Sequence, residues 1–379
     1  MHKPVTIVIL AAGLGTRMKS RQAKVLHKAG GKTLLQHVID TALALAPPER
    51  IFAVIGHQAD QVRQSVAGAG IGFIEQTEQK GTGHAVKIGR DSMAHLNGHL
   101  MVLYGDSPLL RTETLRRLIA QETEGTAAGV LMSAQMEDPT GYGRVIRDSR
   151  GHVLDVVEQK AGTPEQLTIR EANMGIYCFR ADLFWKHVDE IQPDNPAREY
   201  YLTDMPAILT RAGHTVEAMR IDDPGEALGI NDRAQLAQVD AIFRERKRSA
   251  LMAAGVTLVK PETITIDAAV EIGMDTIVEP FAQILGKTTV GENCRMPRTS
   301  PTRPSTTTGA VSSRPWPPAT AARSPPSRSR MSPTSPAGGL PACPSTREWT
   351  STRDSSQRAA PAPKPATWRI SAIRTSGPR

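Results

Sequence analysis

Branched aliphatic residues recur every six positions at Ile266, Ile272, Val278, Ile284 and Val290. Two positions before each stand Ile264, Val270, Thr276, Ala282 and Thr288, all small or β-branched, and glycines follow at Gly273 and Gly291. Helices repeat every 3.6 residues and ordinary strands every 2, so neither produces this spacing. One aliphatic per six residues, on very short strands, marks a hexapeptide parallel β-helix with three hexads per coil. The hexads begin after Gly255 and stop at Met296. That length is read as less than two coils, with an open end of unpaired backbone groups and a weak or absent tendency to trimerise.

The preceding residues follow another rule. Val5–Leu10 (VTIVIL) is a continuous apolar run that breaks at Gly13, as expected of a strand buried on both faces. Leu34–Ala46 has helical spacing and stops at Pro47 and Pro48. Ile51–Ile55 and His99–Tyr104 read as further strands, and Thr112–Glu122 as a helix after the second. Strands alternating with helices imply a parallel α/β sheet whose ligands bind at the carboxyl ends of the strands. Arg233–Ala253 reads as a long amphipathic helix leading out of that domain. The organisation is therefore residues 1–230 as an α/β domain, 231–253 as a linker helix, 254–296 as the partial β-helix, and 297–379 as a tail.

Charge separates the tail from the rest. Of 46 Lys and Arg and 38 Asp and Glu, residues 297–379 hold 13 and 2, which leaves the first 296 residues with 33 and 36. The body is mildly acidic, so the net charge of +8 is a property of the tail and no argument for nucleic-acid binding. The tail shows no aliphatic period, is rich in Pro, Ser, Thr and Arg, and is expected to be disordered or read in a shifted frame. Three cysteines with no Cys-x-x-Cys pair exclude a disulfide framework and a structural zinc site, and point to a cytoplasmic location. No apolar stretch suits a membrane span, and the N-terminal run is read as a strand rather than a signal peptide.

The first strand empties into Leu10-Ala-Ala-Gly-Leu-Gly-Thr-Arg-Met18, with Lys24 beyond. Glycines let backbone N–H groups approach phosphate oxygens, and Arg and Lys supply fixed charge. A Walker loop is excluded because Leu26 stands where Gly31-Lys32-Thr33 would need its first glycine. A dinucleotide fingerprint is excluded by Met18 at the third glycine position. A kinase reading fails for want of a His-Arg-Asp loop.

The pattern L-x-x-G-x-G-T-R-M followed by K-V-L resembles the sugar-phosphate nucleotidyltransferases. Further segments occur in order: Gln76-x4-Gly81-Thr82-Gly83-His84-Ala85, Tyr104-Gly105-Asp106, Thr140-Gly-Tyr-Gly143-Arg144, Glu158, Asn173 before Gly175, Glu199-Tyr-Tyr-Leu-Thr-Asp204 and Gly229-Ile-Asn231. With the hexads, they resemble the bacterial bifunctional N-acetylglucosamine-1-phosphate uridyltransferase/glucosamine-1-phosphate acetyltransferases over residues 5–296. The resemblance implies a Rossmann-like nucleotidyltransferase domain followed by a left-handed β-helix, trimeric in the family. It implies uridylyl transfer from UTP to N-acetylglucosamine 1-phosphate by the first domain and acetyl transfer from acetyl-CoA by the second.

The resemblance also assigns residues. Leu10, Ala11, Ala12 and Gly13 would face the uridine, and Gln76, Gly81 and Thr82 would hold uracil and ribose; an amide offers the donor and acceptors that suit an imide edge. Arg17 and Lys24, the expected catalytic residues, would hold the triphosphate. Asp106, at a strand's carboxyl end beside Tyr104 and Gly105, would bind Mg²⁺ with Asn231, and so few protein ligands suffice because Mg²⁺ keeps phosphate oxygens and water. Gly141, Glu158 and Asn173 would contact the sugar. Tyr200 and Tyr201 are read as packing, Cys178 as a buried small hydrophobe, and His84 is given no chemistry.

The match fails in the tail. The family's acetyl-transfer segments include a GHLxYLGD motif, absent here as translated, and residues 297–379 contain no histidine. Permissible codons for residues 366–377, regrouped one nucleotide earlier, can spell such a segment, which favours the shifted frame. Acetyl-CoA is therefore not an expected partner. Competing functions are a glucose-1-phosphate uridylyl- or thymidylyltransferase and a non-catalytic sugar-nucleotide-binding protein. Retention of Arg17, Lys24, Asp106 and Asn231 argues against the second.

Overall fold

The structure, a computed structural model, describes residues 4–297. The expectations of disorder and of a shifted frame for the tail lie outside these residues, apart from Pro297.

The chain opens with β1 (Val5–Leu10), a hairpin of β2 (Lys28–Ala29) and β3 (Lys32–Thr33), α1 (Leu34–Leu43) and β4 (Ile51–Ile55). It continues through α2 (Ala59–Ser65), β5 (Gly72–Glu75), α3 (Thr82–Lys87), α4 (Arg90–Met93) and β6 (His99–Tyr104). Next come α5 (Thr112–Glu124), β7 (Gly129–Gln135), β8 (Arg144–Arg147), β9 (Val153–Val157) and β10 (Glu171–Arg180). After α6 (Ala181–His187), α7 (Met205–Arg211) and β11 (Val216–Ile221), the long α8 (Arg233–Ala253) leaves the sheet. The expected strands β1, β4 and β6 and the helix α8 have the boundaries read from the sequence. The helix α1 ends earlier than expected, at Leu43, and α5 runs to Glu124.

The main sheet has the order β11-β7-β10-β6-β1-β4-β5, with β8 and β9 branching from β10. It is not the uniformly parallel sheet expected from the alternation. The strand β10 runs antiparallel to both neighbours, β6 and β7. The reason is the connection: β8 and β9 form an antiparallel pair rather than a helical crossover, so the chain re-enters the sheet reversed. The central strands β1 and β6 are buried almost throughout, Ile7, Val8 and Ile9 showing no exposure, because helices cover both faces.

From β1 the chain moves to β4 and β5 on one side, while β6 on the other side leads away toward β7. The order of strands thus reverses between β1 and β6. At such a switch point the two following loops part and leave a crevice beyond the strand ends.

Seven two-residue strands follow α8, from β12 (Thr257–Leu258) through β13 (Thr265–Ile266), β14 (Glu271–Ile272), β15 (Ile277–Val278), β16 (Gln283–Ile284) and β17 (Thr289–Val290) to β18 (Arg295–Met296). All pairings are parallel, with Thr265 opposite Gln283, Glu271 opposite Thr289, and Ile277 opposite Arg295, one coil of three hexads apart. Three faces result, one of three strands and two of two. That is just over two coils rather than under two. The sequence reading missed β12 because a 3-10 turn at Pro261–Thr263 interrupts the six-residue period. Ile264, Ile266, Val270, Val278, Ala282 and Ile284 fill the coil interior, while Thr288 is exposed and Val290 only half-buried near the last turn.

The hairpin β2–β3 carries Gly31-Lys32-Thr33, which is no Walker loop, and it serves as a seat. Gly30 N–H donates to Asp240 Oδ1 of α8 at 2.8 Å, and Ala268 N–H of the β-helix donates to Gly30 O at 2.8 Å. A Cβ on Gly31 would stand 2.4 Å from the Asp267 carboxyl carbon. The two glycines thus let the sheet domain and the β-helix approach backbone to backbone.

Candidate active site

Residues 11–15 leave β1, and Thr16–Met18 form a single 3-10 turn. Gly15 opens this turn at φ 60°, and a Cβ there would lie 2.7 Å from Lys24 Cβ. Glycine is required twice over, by the left-handed backbone and by the lysine stem packed against it. Ala11 N–H donates to Val54 O at 2.8 Å and Gly105 N–H to Leu10 O at 2.9 Å, so the sheet ladder continues past the strand ends and holds both loops. Gly105 itself lines neither of the two cavities found at this mouth; a Cβ there would press on Ala11 Cβ at 3.2 Å.

Asp106 follows β6. Its backbone oxygen accepts from Ile230 N–H at 2.9 Å, which brings Asn231 across the mouth. The Asp106 carboxylate pairs with Lys24 Nζ, and the two side chains are 14% and 15% exposed, shielded yet reachable. Lys24 Nζ also lies 3.3 Å from Asn231 Oδ1, and Arg17 Nη2 donates to the same oxygen at 2.8 Å. Four side chains from distant parts of the sequence thus converge on one point, two cationic and two oxygen-bearing.

Two cavities meet there. The first, of about 450 Å³, is lined by Leu10, Ala11, Ala12, Gly13, Lys24, Gln76, Gly81, Thr82, Tyr104, Asp106, Glu158 and Asn231, and also by Gln79, Glu199 and Tyr201. The second, of about 350 Å³, is lined by Arg17, Gly141, Gly143 and Asn173, with Tyr142, Thr203 and Gln235. Tyr104, Asp106, Glu158 and Asn231 border both.

In the first cavity, Gly81 stands at φ 106° where a Cβ would come 2.5 Å from Tyr200 O. The segment 80–83 pairs closely with Tyr200: its N–H donates to Lys80 O at 2.8 Å, and Gly83 N–H donates to Tyr200 O at 2.7 Å. Gln76 is 4% exposed, and its Nε2 donates to Gly81 O at 3.2 Å and lies 3.0 Å from His84 Nδ1. Tyr104 lays its ring over Gly175, where a Cβ would stand 2.8 Å away. Burial, then the Glu158 and Asp106 carboxylates, raise its hydroxyl well above the usual phenol range, so it stays protonated.

In the second cavity, Glu158 follows β9 and accepts from Thr203 Oγ1 at 3.1 Å. Burial raises its carboxyl above the ordinary range, and Glu199 adds to this, while the Thr203 bond opposes it. Asn173 is turned partly inward: Nδ2 donates to Tyr177 hydroxyl at 2.7 Å, and Oδ1 accepts from Gly175 N–H at 3.1 Å. One amide hydrogen and one lone pair remain for a ligand. Behind Glu158, Asp204 is pushed up to about 6 by burial and by the Asp155 and Glu158 carboxylates, against Arg211.

The structure therefore gathers every expected site residue except Gly105 around the two cavities. Tyr201 corrects the sequence reading: it lines the first cavity, whereas Tyr200 packs against the core. Gln79, Glu199 and Thr203 were also missed. The Glu199-Tyr-Tyr-Leu-Thr-Asp204 run stands out in the sequence as a segment, but nothing in its local pattern tells which side chains turn to the mouth. Cys178 is fully buried, as expected.

Residues 7–168 match the MobA-like NTP transferase domain. The bifunctional protein GlmU of Solibacter usitatus (strain Ellin6076) is 81% identical over 296 residues, which are 78% of this chain and 64% of that protein. Over the matched stretch the chain is similar to GlmU proteins. GlmU of Koribacter versatilis (strain Ellin345) is 49% identical over 298 residues, 78% of this chain and 63% of its own length. The GlmU of Lactobacillus delbrueckii subsp. bulgaricus (strain ATCC BAA-365 / Lb-18) is 45% identical over 289 residues, 76% of this chain and 62% of its own. The chain thus spans less than two thirds of the length of these GlmU relatives. Among the described residues, no helix is long and apolar enough to cross a membrane.

Proposed function

We propose that this chain transfers the uridylyl group of UTP to N-acetylglucosamine 1-phosphate, giving UDP-N-acetylglucosamine and pyrophosphate. The observation that carries the reading is the meeting of two cavities at Lys24, Arg17, Asp106 and Asn231. A nucleotide in the first and a sugar phosphate in the second would bring their phosphates together at that point.

The sugar-phosphate oxygen attacks the α-phosphorus of UTP in line, and pyrophosphate leaves. No enzyme nucleophile is needed, so positioning and charge stabilisation supply the rate. The residues 11–13 offer backbone to the nucleotide, and Lys24 and Arg17 draw negative charge toward the departing pyrophosphate. Gly141, at φ 90° and with open space where a Cβ would be, lets the sugar approach the backbone. Glu158 and Asn173 offer hydrogen bonds to its hydroxyls or acetamido group.

A divalent cation fits the site. Lys24 Nζ contacts both Asp106 Oδ2 and Asn231 Oδ1, so these two oxygens already converge on a positive charge. A carboxylate and an amide oxygen are the hard donors Mg²⁺ accepts. Asp106 and Asn231 would hold it, and it would supply charge neutralisation between the two phosphates.

Acetyl transfer lies outside this proposal. The described β-helix ends just past two coils, and residues 297–379 contain neither hexads nor histidine. Neither acetyl-CoA nor a stable trimer is proposed as a partner.

Pyrophosphate release from UTP, measured with N-acetylglucosamine 1-phosphate and then with glucose 1-phosphate, tests the reading. Release with the first and at least tenfold less with the second is expected. Release favouring glucose 1-phosphate would overturn the choice of sugar.

A further inference from the structure

Gln76 is an ambiguous reader, because a free amide offers a donor on one side and an acceptor on the other. In this protein the ambiguity is removed. Nε2 is 3.2 Å from Gly81 O, which can only accept, so Nε2 rather than Oε1 must face it. The second Nε2 hydrogen then points at His84 Nδ1, 3.0 Å away. An amide nitrogen has no lone pair to give, so Nδ1 must accept, and the imidazole is neutral with its proton on Nε2. Both hydrogens of Gln76 are thereby spent within the protein. With Nε2 so engaged, Oε1 is the polar atom that Gln76 has left to offer the cavity it lines.

We propose that His84 is a positioning residue that sets the base specificity of the nucleotide cavity by fixing the Gln76 amide with its oxygen outward. A fixed acceptor selects a base carrying a ring N–H donor, as the uracil imide does. It rejects cytosine, which presents a lone pair at the same ring position. This rests on reading the first cavity as a nucleoside triphosphate site, and it adds a determinant that does not itself touch the base.

The surroundings of His84 keep it neutral. Burial, then Lys80 and Lys87, lower its pKa below the usual 6.5, and Glu78 opposes them. The Tyr200 ring lies 6.0 Å away. When pH falls through the ring's titration, Nδ1 gains a proton and can no longer accept from Nε2. The amide then loses its reason to keep the oxygen outward, and selectivity declines.

The test is calorimetric binding of UTP and of CTP to the full chain, wild type and His84→Ala, from pH 8 to pH 5.5. For wild type at pH 8, a preference for UTP of about 10²-fold is expected, narrowing toward the acid end of the range. For His84→Ala, a preference at least tenfold smaller at pH 8 and flat across the range is expected. His84→Gln, whose side-chain oxygen can accept, should recover part of the preference. A preference that survives in His84→Ala, or that narrows with pH as much in His84→Ala as in wild type, would overturn the inference. So would a wild type that binds both nucleotides equally. Pyrophosphate release is scored separately: its absence with every nucleoside triphosphate would sink the transferase reading, while the binding ratio would still decide the role of His84.

Discussion

Lys24 is the residue on which the site turns, and its position is set by a glycine nine residues earlier. Replacing Lys24 with Ala should lower uridylyl transfer by about 10²- to 10³-fold, with a thermal midpoint close to wild type. Gly15→Ala should do harm in another way. It forces an alanine into φ 60° and against the Lys24 stem, so it should cost about 1–3 kcal/mol of stability as well as activity. A Gly15→Ala protein as stable as wild type in urea would contradict the backbone argument. Asp204 offers a test by pH. Its folded pKa of about 6 lies above the ordinary 3.8, so its protonated form is the favoured one in the fold. The stabilisation is complete below about pH 4, and is lost as pH rises through 6. Asp204→Asn should therefore stabilise the protein at pH 7.5, by about 1–2 kcal/mol after allowance for partial exposure, and should gain nothing at pH 4. Thermal melts of the two proteins at both pH values would show this, and an equal gain at pH 4 and 7.5 would refute the cause given. At this scale the glycine loop, Lys24 and Asp106 were legible because spacing alone marks them. Tyr201 and the bond between Gln76 and His84 were not, because they depend on which way a side chain turns in a fold already formed.

The elements were legible in proportion to how local their signals are. The strands β1, β4 and β6 carry continuous apolar runs, and α8 carries helical spacing to its end. The reversal of β10 had no local signal, since its composition suits a parallel and an antiparallel strand equally well. It follows from the β8–β9 pair, a tertiary fact. The contact of hairpin, long helix and β-helix was equally hidden. Arg244 there bonds Asp240 Oδ2 at 2.8 Å and Asp267 Oδ1 at 3.0 Å, while Asp240 also holds Gly30 N–H. Asp240→Ala should therefore cost about 1–2 kcal/mol and raise hydrogen exchange at Gly30 and near Asp267. Unchanged exchange at those amides would mean that the seat depends on apolar packing alone.

The described residues pair a sheet domain with a short β-helix, and the site lies within the former, the residues just before α8 and the first turn of α8, which adds Gln235. The switch of strand order between β1 and β6 opens the crevice, and the returning segment at 229–231 closes it with Asn231. The proposed uridylyl transfer therefore calls for no coils beyond those the described residues provide. Acetyl-CoA consumption with glucosamine 1-phosphate should be undetectable for the purified chain, and a measurable rate would show that the tail supplies what its sequence lacks. The most direct test of the central claim is pyrophosphate release from UTP and N-acetylglucosamine 1-phosphate by the wild-type chain and by Asp106→Ala. Robust release by the first and a loss of at least about 10²-fold in the second are expected. Undiminished release after that substitution would contradict the claim that chemistry occurs where the two cavities meet.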